Sequence, residues 1–279
     1  MRQVLFRIPG LNLPIFGYGL MLFLAFLFSM NLAAWRARRE KLDPETIYDL
    51  ALVIFVGGLV GARGFYVWQY WGTRIKTFAD VFKIWEGGIV LYGSLLGGAL
   101  AFFLYWLRRP FPLRPMLDAI APSIALGIAV GRIGCLLNGC CYGDRCDLPW
   151  AVRFPALTAP WSDHVRAGII PESAPYSAYV HPTQIYSTID GLVLLGLLSA
   201  YYPLRRRDGE VMALLMVTYP ITRFLVEYLR SDEPAYMAGL TISQVVSVGM
   251  LAAGVAYWAW LWTRPKVRFA DGAAGPGSP

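Results

Sequence analysis

Long apolar stretches alternate with short polar segments along the chain, and the stretches are about as long as a membrane is thick. A helix needs about 20 apolar residues to cross roughly 30 Å of hydrocarbon. The pattern therefore predicts an all-α polytopic membrane protein with seven membrane-spanning helices. The predicted spans are residues 14–35, 48–70, 88–107, 116–137, 183–203, 210–229 and 241–262.

Basic residues are concentrated after alternate spans. Clusters of arginine and lysine follow the first, third, fifth and seventh predicted spans, so all of them lie on one face of the membrane. Because cytoplasmic loops are enriched in lysine and arginine, the N-terminus is predicted to be periplasmic and the C-terminus cytoplasmic. The clusters are Arg36, Arg38, Arg39 and Lys41; Arg108, Arg109 and Arg114; Arg205, Arg206 and Arg207; and Arg264, Lys266 and Arg268.

The connecting segments predict a single membrane domain, residues 1–269, with further structure on its outer face. Residues 138–182 are long, mixed in charge and rich in Pro, Trp and Tyr, and they predict a small periplasmic cap. Residues 71–87 predict a second outer segment with an interfacial helix. Residues 270–279 are rich in Gly, Pro and Ala and predict a disordered tail.

Composition narrows the class of protein. Hydrophobic residues make up 57% of the chain and charged residues only 15%, with a mean hydropathy of +0.48. This is too apolar for an ordinary soluble domain. The net charge of +7 is accounted for by the clusters at the span ends, so it does not indicate nucleic-acid binding. No internal repeat is evident, which argues against an inverted-repeat transporter.

Three arginines lie inside predicted spans: Arg63, Arg132 and Arg223. A charge at that depth costs at least ~2.5–3.5 kcal/mol on insertion scales, so such residues usually have a function. In the predicted orientation they lie toward the periplasmic side, where their guanidinium groups predict a site for a lipid phosphate. Arg132 has no carboxylate three or four residues away, so its partner must come from another helix, a loop or a ligand.

Two of these arginines also admit a structural interpretation. Tyr219, Arg223 and Glu227 are spaced by four and share one helix face, so Arg223 and Glu227 could simply neutralise each other. Small residues surround Arg63, and its alternative role is a bond to a carbonyl group or to Asp190.

Four more polar residues are predicted near the outer ends of spans. Tyr18 and Tyr92 lie near the ends of the first and third spans, and His181 and Gln184 open the fifth. Tyr18 could be an aromatic anchor at the membrane interface, and a lone histidine before a helix is more often structural than catalytic.

The four cysteines lie in one run at the outer end of the fourth span: Cys135, Cys140, Cys141 and Cys146. An oxidising compartment favours disulfides there, with a bridge between the adjacent Cys140 and Cys141 the least favoured pairing. A metal site that uses these thiols with His181 ranks below the disulfides because the spacing is not that of a usual zinc site. No metal is therefore expected. A redox catalyst ranks last because no Cys-x-x-Cys is present.

A series of short motifs extends over most of the chain. In this order and at these span positions they resemble the prolipoprotein diacylglyceryl transferase family. The motifs are Gly17-Tyr18-Gly19; Gly61-Ala62-Arg63-Gly64-Phe65-Tyr66; Trp85-Glu86-Gly87-Gly88; Gly131-Arg132-Ile133-Gly134; Asn138-Gly139; His181-Pro182-Thr183-Gln184-Ile185-Tyr186; and the series Tyr219, Arg223 and Glu227.

The resemblance implies a reaction and a location. Such enzymes move the diacylglyceryl group of phosphatidylglycerol to the lipobox cysteine thiol of a prolipoprotein, form a thioether and release glycerol phosphate, without a cofactor or metal. It implies a multi-pass protein of the bacterial inner membrane whose site faces the periplasm. The implied partners are phosphatidylglycerol, prolipoprotein signal peptides and the bilayer.

The resemblance marks Arg132 and Arg223 as catalytic, and we expect both to bind substrate as well. The remaining residues expected to bind substrate are Tyr18, Arg63, Asn138, His181, Gln184, Tyr219 and Glu227.

Four positions depart from the family pattern and indicate a divergent, cysteine-containing member. Tyr92 stands where the family has a histidine that is a candidate base, Cys135 and Cys140 replace an asparagine and a glutamate, and Ser187 replaces a glutamate. Tyr92 is therefore assigned as catalytic. It could act as the base if nearby arginines lower its pKa from about 10. Alternatively, Tyr92 only hydrogen-bonds and the arginines stabilise the attacking thiolate.

Two other functions stay open. One is a related transferase that uses the same lipid donor and another acceptor. The other is a lipid-binding or lipid-translocating protein without chemistry. Because the predicted polar groups stop partway through the membrane, whereas a transporter needs them along the whole path, the sequence favours an enzyme.

Overall fold

The computed structural model describes residues 3–7, 14–75, 77–83, 87–88, 90–230, 236–237 and 239–272, and most of these residues are helical. The α-helices are α1 (Gly17–Arg39), α2 (Pro44–Tyr70), α3 (Leu91–Arg108), α4 (Leu113–Asn138), α5 (Ala159–Arg166), α6 (Thr183–Tyr201), α7 (Glu210–Glu227), α8 (Ile242–Trp262) and α9 (Phe269–Gly272).

Two short strands and two 3₁₀ helices complete the described elements. The strands β1 (Val4–Arg7) and β2 (Pro14–Phe16) pair antiparallel, with Val4 opposite Phe16. This hairpin was not predicted. The 3₁₀ helices are Phe78–Phe82, within the predicted outer segment, and Tyr202–Leu204, which continues α6.

Five helices are long and apolar enough to cross a membrane: α1, α2, α4, α8 and α6 with its 3₁₀ extension. The prediction of a mostly helical, multi-pass membrane protein is confirmed. The other two predicted spans correspond to α3 and α7, which have 18 residues each and lie outside this set of five. The count of seven spans and their orientation stay predictions.

A single membrane domain was predicted for residues 1–269. The chain divides into two compact units, which are residues 34–116 and residues 1–33 with 117–279. Trp85 and Glu86 lie outside the described residues. The same holds for residues 273–279 of the predicted tail, whose first residues belong to α9.

In the unit of residues 34–116, α2 and α3 pack so closely that their backbones touch. A Cβ atom on Gly61 would lie 2.7 Å from the Cα of Gly97, and one on Gly97 would lie 2.8 Å from the Cα of Gly61. Small residues allow this approach because side chains would hold the helices apart. Asp49 of α2 accepts hydrogen bonds from Tyr105 at 3.0 Å and Arg109 at 3.2 Å.

In the other unit, α4, α6 and α7 share a hydrophobic core. Its buried members are Ala121, Ala125, Leu194, Leu198, Tyr202, Val211 and Leu215. Helix α8 packs on α7, where a Cβ atom on Gly254 would lie 2.7 Å from the carbonyl oxygen of Met216. The core therefore holds three of the predicted spans together, and α8 is attached through its contact with α7.

A buried carboxylate caps the start of α7. Asp118 of α4 accepts hydrogen bonds from the backbone amides of Gly209, Val211 and Met212 at 2.7, 2.9 and 3.0 Å. The first amides of a helix have no partner within it, so this side chain satisfies them. Arg205 lies 3.4 Å from the same carboxylate. The contact joins the beginning of α7 to α4.

Residues 138–182, predicted as a cap, fold around a small core of their own. Tyr142, Phe154 and Val180 are buried together. The Tyr142 hydroxyl donates to the Asp163 carboxylate of α5 at 2.7 Å. These contacts give the segment a defined structure without a long helix.

Candidate active site

The ends of four helices meet in the unit that contains α4. At the end of α4, Leu137 lies against Gly17, the first residue of α1. Thr183, the first residue of α6, donates to the carbonyl of Cys141 at 2.6 Å. The Asp144 amide donates to the Leu229 carbonyl, just after α7, at 2.8 Å. Polar residues near these ends therefore share one region.

Arg132 is a half-buried cation without a hydrogen-bond acceptor or ion-pair partner among the residues that the structure describes. It precedes the end of α4 by six residues, or about 9 Å along the helix. The Tyr18 hydroxyl of α1 is within electrostatic range of it. An unpaired guanidinium in such surroundings is suited to hold an anion.

Arg223, by contrast, is held by protein groups on two helices. It forms an ion pair with Glu227, one turn further along α7, and donates to Ser243 Oγ of α8 at 2.9 Å. Glu227 also accepts from Arg230 at 3.2 Å and from Thr241 Oγ1 at 3.0 Å. The predicted Arg223–Glu227 pair is confirmed, and a second arginine shares the carboxylate.

Two arginines therefore share one buried carboxylate. Arg223 precedes the end of α7 by four residues, about 6 Å along the helix, so it lies near the same helix ends as Arg132. The sequence analysis did not identify Arg230, Thr241 or Ser243 as members of this group. Arg230 could have been found, because it lies three residues after Glu227.

Asn138 and Gln184 lie against the loop that follows α4. The Gln184 side chain is buried, and its Nε2 donates to the Cys140 carbonyl at 2.7 Å. Its Oε1 is buried and has no hydrogen-bond partner among the residues that the structure describes. Asn138 is the last residue of α4, and its backbone carbonyl accepts from Gln3 Nε2 at 3.2 Å. Both predicted residues therefore border this loop.

His181 and Tyr219 have protein partners. His181 Nδ1 is 3.3 Å from the Tyr186 hydroxyl, which accepts from Trp150 Nε1 at 2.7 Å. Tyr219 packs against the core shared by α4, α6 and α7, and its carbonyl accepts from Thr222. Their predicted substrate contacts stay predictions.

Arg63, in the unit of residues 34–116, is occupied by backbone carbonyls. Its Nε donates to Val81, Nη1 to Gly87 and Gly88, and Nη2 to Asp80 and Lys83, at 2.6–3.3 Å. A guanidinium has five N–H donors, and all are used here. Arg63 therefore organises the outer segment through bonds to carbonyl groups, which was its alternative structural role, and its predicted role in substrate binding stays a prediction.

Tyr92 is the second residue of α3, and its side chain is 45% exposed. It has no hydrogen bond to any described residue. It belongs to the unit of residues 34–116, as Arg63 does. Its predicted catalytic role stays a prediction.

All four cysteines are free thiols in the structure. The sulfur atoms of Cys135, Cys140 and Cys141 lie within 4.8 Å of one another, and Cys146 is outside this group. The same three thiols and Arg132 are within electrostatic range of the Tyr18 hydroxyl. The predicted disulfides stay predictions, and the cluster borders the candidate site.

The fold and the site define a class: a helical, multi-pass membrane protein with arginines inside apolar helices, near the ends where four helices meet. Comparison with known proteins narrows the class to a family. The model of the prolipoprotein diacylglyceryl transferase family matches residues 3–260. The chain belongs to this family, and the resemblance of its motifs is confirmed.

Curated relatives carry the name phosphatidylglycerol–prolipoprotein diacylglyceryl transferase. The relative from Clostridium tetani is 33% identical over 258 residues, which cover 91% of this chain and 96% of the relative. The relative from Synechococcus elongatus is 34% identical over 251 residues, or 88% and 83% of the two chains. The relative from Thermosynechococcus vestitus is 35% identical over 241 residues, or 85% of each.

Proposed function

We propose that this protein is a transferase that moves the diacylglyceryl group of phosphatidylglycerol to the lipobox cysteine of a prolipoprotein. The family match and the relatives' names support the reaction. The observation that carries it is Arg132, a half-buried cation without an acceptor among the described residues, near the same helix ends as Arg223. A phosphodiester supplies the missing anion.

The proposed step forms one bond and breaks another. The thiolate sulfur of the acceptor attacks the glyceryl carbon, while the bond from that carbon to the phosphate oxygen breaks. Glycerol phosphate leaves with the electron pair, and the thiol proton goes to a base. Charge grows on the phosphate as the bond breaks, so fixed guanidinium groups stabilise the transition state more than the bound lipid.

The residues have different roles in this proposal. Arg132 holds the phosphate directly, and Arg223 contributes positive charge while Glu227 and Ser243 fix its position. Asn138 and Gln184 border the loop beside the site, and the Tyr18 ring packs at Gly134, two residues from Arg132. Tyr92 is the candidate base. Arg63 acts at a distance by holding the outer segment.

The proposal includes a topology. Seven helices cross the bacterial inner membrane, the N-terminus lies in the periplasm and the site faces the periplasmic side. The basic clusters after alternate spans support it. The acceptor cysteine, carried on a signal peptide, would then reach the phosphate at the outer leaflet.

Transfer by purified protein tests the reaction. With phosphatidylglycerol and a lipobox peptide, mass spectrometry should detect the diacylglyceryl thioether. Arg132→Ala and Arg223→Ala should each lower the rate by about 100-fold or more, because each removes a positive charge from the developing phosphate. Arg166→Ala is the control, since Arg166 is exposed in α5.

Two results would contradict the proposed function or its assigned site. If wild-type protein consumes the lipid without modifying the peptide, another acceptor is used. If both variants of Arg132 and Arg223 transfer at the wild-type rate, the assigned site is wrong. Size-exclusion profiles should match for all variants, so that loss of rate is not loss of fold.

A further inference from the structure

Three thiols converge just beyond the end of α4. Cys135 lies on the last turns of the helix, and Cys140 and Cys141 lie on the loop that turns back over it. Gly139 and Cys141 both have positive φ, +77° and 57°, and this tight turn returns the chain toward the helix. All three sulfurs lie within 4.8 Å of one another.

Neighbouring polar groups hold the backbone of this loop, and the Cys140 thiol makes a long hydrogen bond to the Cys135 carbonyl at 3.8 Å. Thr183 and Gln184 bind the carbonyls of Cys141 and Cys140 at 2.6 and 2.7 Å. The Gln184 amide is therefore beside the cluster, and its buried Oε1 has no partner within the described part of the chain. The geometry of the cluster is fixed from outside by the start of α6.

We propose that Cys135, Cys140 and Cys141 form a binding site for a thiophilic divalent cation, and that the bound ion is Zn²⁺. Zinc–sulfur bonds of about 2.3 Å place two sulfurs of a tetrahedral site about 3.8 Å apart, so the thiols need to close by only about 1 Å. Binding replaces three thiol protons with one ion and releases the protons. Three protein ligands leave a fourth position for water.

The arrangement suits a metal better than a disulfide. A disulfide would draw two sulfurs to about 2.05 Å and leave the third thiol without a partner. One of the three pairs joins adjacent residues, the least favoured geometry. A metal uses all three sulfurs at once, and this reverses the order that the spacing alone suggested.

Occupancy would affect transfer, a consequence that rests on the proposed function. Three thiolates and one Zn²⁺ carry a net charge of −1. Cys135 is three residues from Arg132 on the same helix, so the loaded cluster offers this guanidinium an anionic neighbour. It would compete with the lipid phosphate, and Zn²⁺ should slow transfer.

Zinc binding to the full-length protein, reduced and solubilised in detergent, is the test. Titration with Zn²⁺ against a chromogenic chelator should give one ion per chain. Cys135→Ser, Cys140→Ser and Cys141→Ser should each weaken binding more than about 10-fold. Cys146→Ser, the matched control outside the cluster, should bind as the wild type does.

A second measurement uses no variants. In wild-type protein Zn²⁺ should protect the three clustered cysteines from alkylation and leave the reactivity of Cys146 unchanged, as read by peptide mass spectrometry. The inference fails if no zinc binds, if Cys146 is equally protected, or if protein from its native membrane holds a disulfide within the cluster. Absence of transfer would overturn the proposed function and leave zinc binding intact.

Discussion

At the scale of single residues, the three arginines inside the apolar helices differ in how the cost of their charge is met. Arg63 binds five backbone carbonyls, Arg223 shares Glu227 with Arg230, and Arg132 has no acceptor among the described residues. Because an isolated buried charge is costly, Arg132 is the arginine that indicates a ligand.

Two alternative roles of Tyr92, general base and hydrogen-bond donor, can be distinguished by experiment. If its phenolate accepts the acceptor thiol's proton, Tyr92→Phe should lower the maximal rate by about 10²–10⁴-fold and Tyr92→His should restore much of it, with a lower pH optimum. The measurement is transfer rate against pH. Tyr176→Phe, in the cap and also half-exposed, is the control. A Tyr92→Phe enzyme with an unchanged profile would leave thiolate formation to the arginines.

Some site residues could be predicted from the sequence because their signal is local. The pairing of Arg223 with Glu227 follows from spacing on one helix, and charges inside apolar runs are visible without a structure. The capping of α7 by Asp118 joins residues about ninety positions apart, so spacing could not reveal it. The five carbonyls around Arg63 likewise depend on how the outer segment folds.

At the scale of elements, close helix contacts set the tolerance to substitution. Gly61→Ala would place a methyl group against the backbone of Gly93 and Gly97, so α2 and α3 must separate. Overpacking of this kind costs about 1–3 kcal/mol, and the thermal unfolding midpoint in detergent should fall. Gly64→Ala, on the same helix with nothing within 4 Å, should change it little. Equal midpoints for the two variants would contradict this packing.

The cap should respond to acid through His164. Burial, with a smaller effect from Arg145, lowers the pKa of His164 from its ordinary 6.5. Its Nδ1 accepts the Ala178 amide at 3.1 Å, a bond that is lost when this nitrogen is protonated.

Because the folded pKa is the lower one, the unfolded state binds the proton more readily. The stabilisation is complete above about pH 6.5 and is lost as the pH falls through the folded pKa. Hydrogen exchange of the Ala178 amide should therefore accelerate, relative to other cap amides and after correction for intrinsic rates, as the pH falls below 6.5. His164→Gln should remove the dependence. A parallel change in all cap amides would instead indicate a general effect of acid.

At the scale of the whole molecule, hydropathy predicted the class well and the details less well. The long helices match the predicted spans to within three residues at most ends. The exceptions are α2, which begins four residues earlier at Pro44 after its Asp43 cap, and α1, which ends four residues later at Arg39. The β1–β2 hairpin was missed because its strands have only four and three residues and the predicted first span already included β2.

Reporter fusions test the orientation. A fluorescent protein that folds only in the cytoplasm should be bright after residues 41, 110, 206 and 268 and dark after residues 75 and 168. Alkaline phosphatase, active only in the periplasm, should give the opposite pattern. The physical reason is the retention of arginine-rich loops on the cytoplasmic side. Bright fluorescence after residue 168 would refute the proposed topology.

The unpaired guanidinium of Arg132 has a consequence for turnover. A phosphodiester has one negative charge, whereas the glycerol phosphate that departs approaches two. Arg132 should therefore bind the released glycerol phosphate more tightly than the intact lipid headgroup. Release of glycerol phosphate, rather than the chemical step, should therefore limit the turnover rate. Added glycerol phosphate should inhibit transfer strongly.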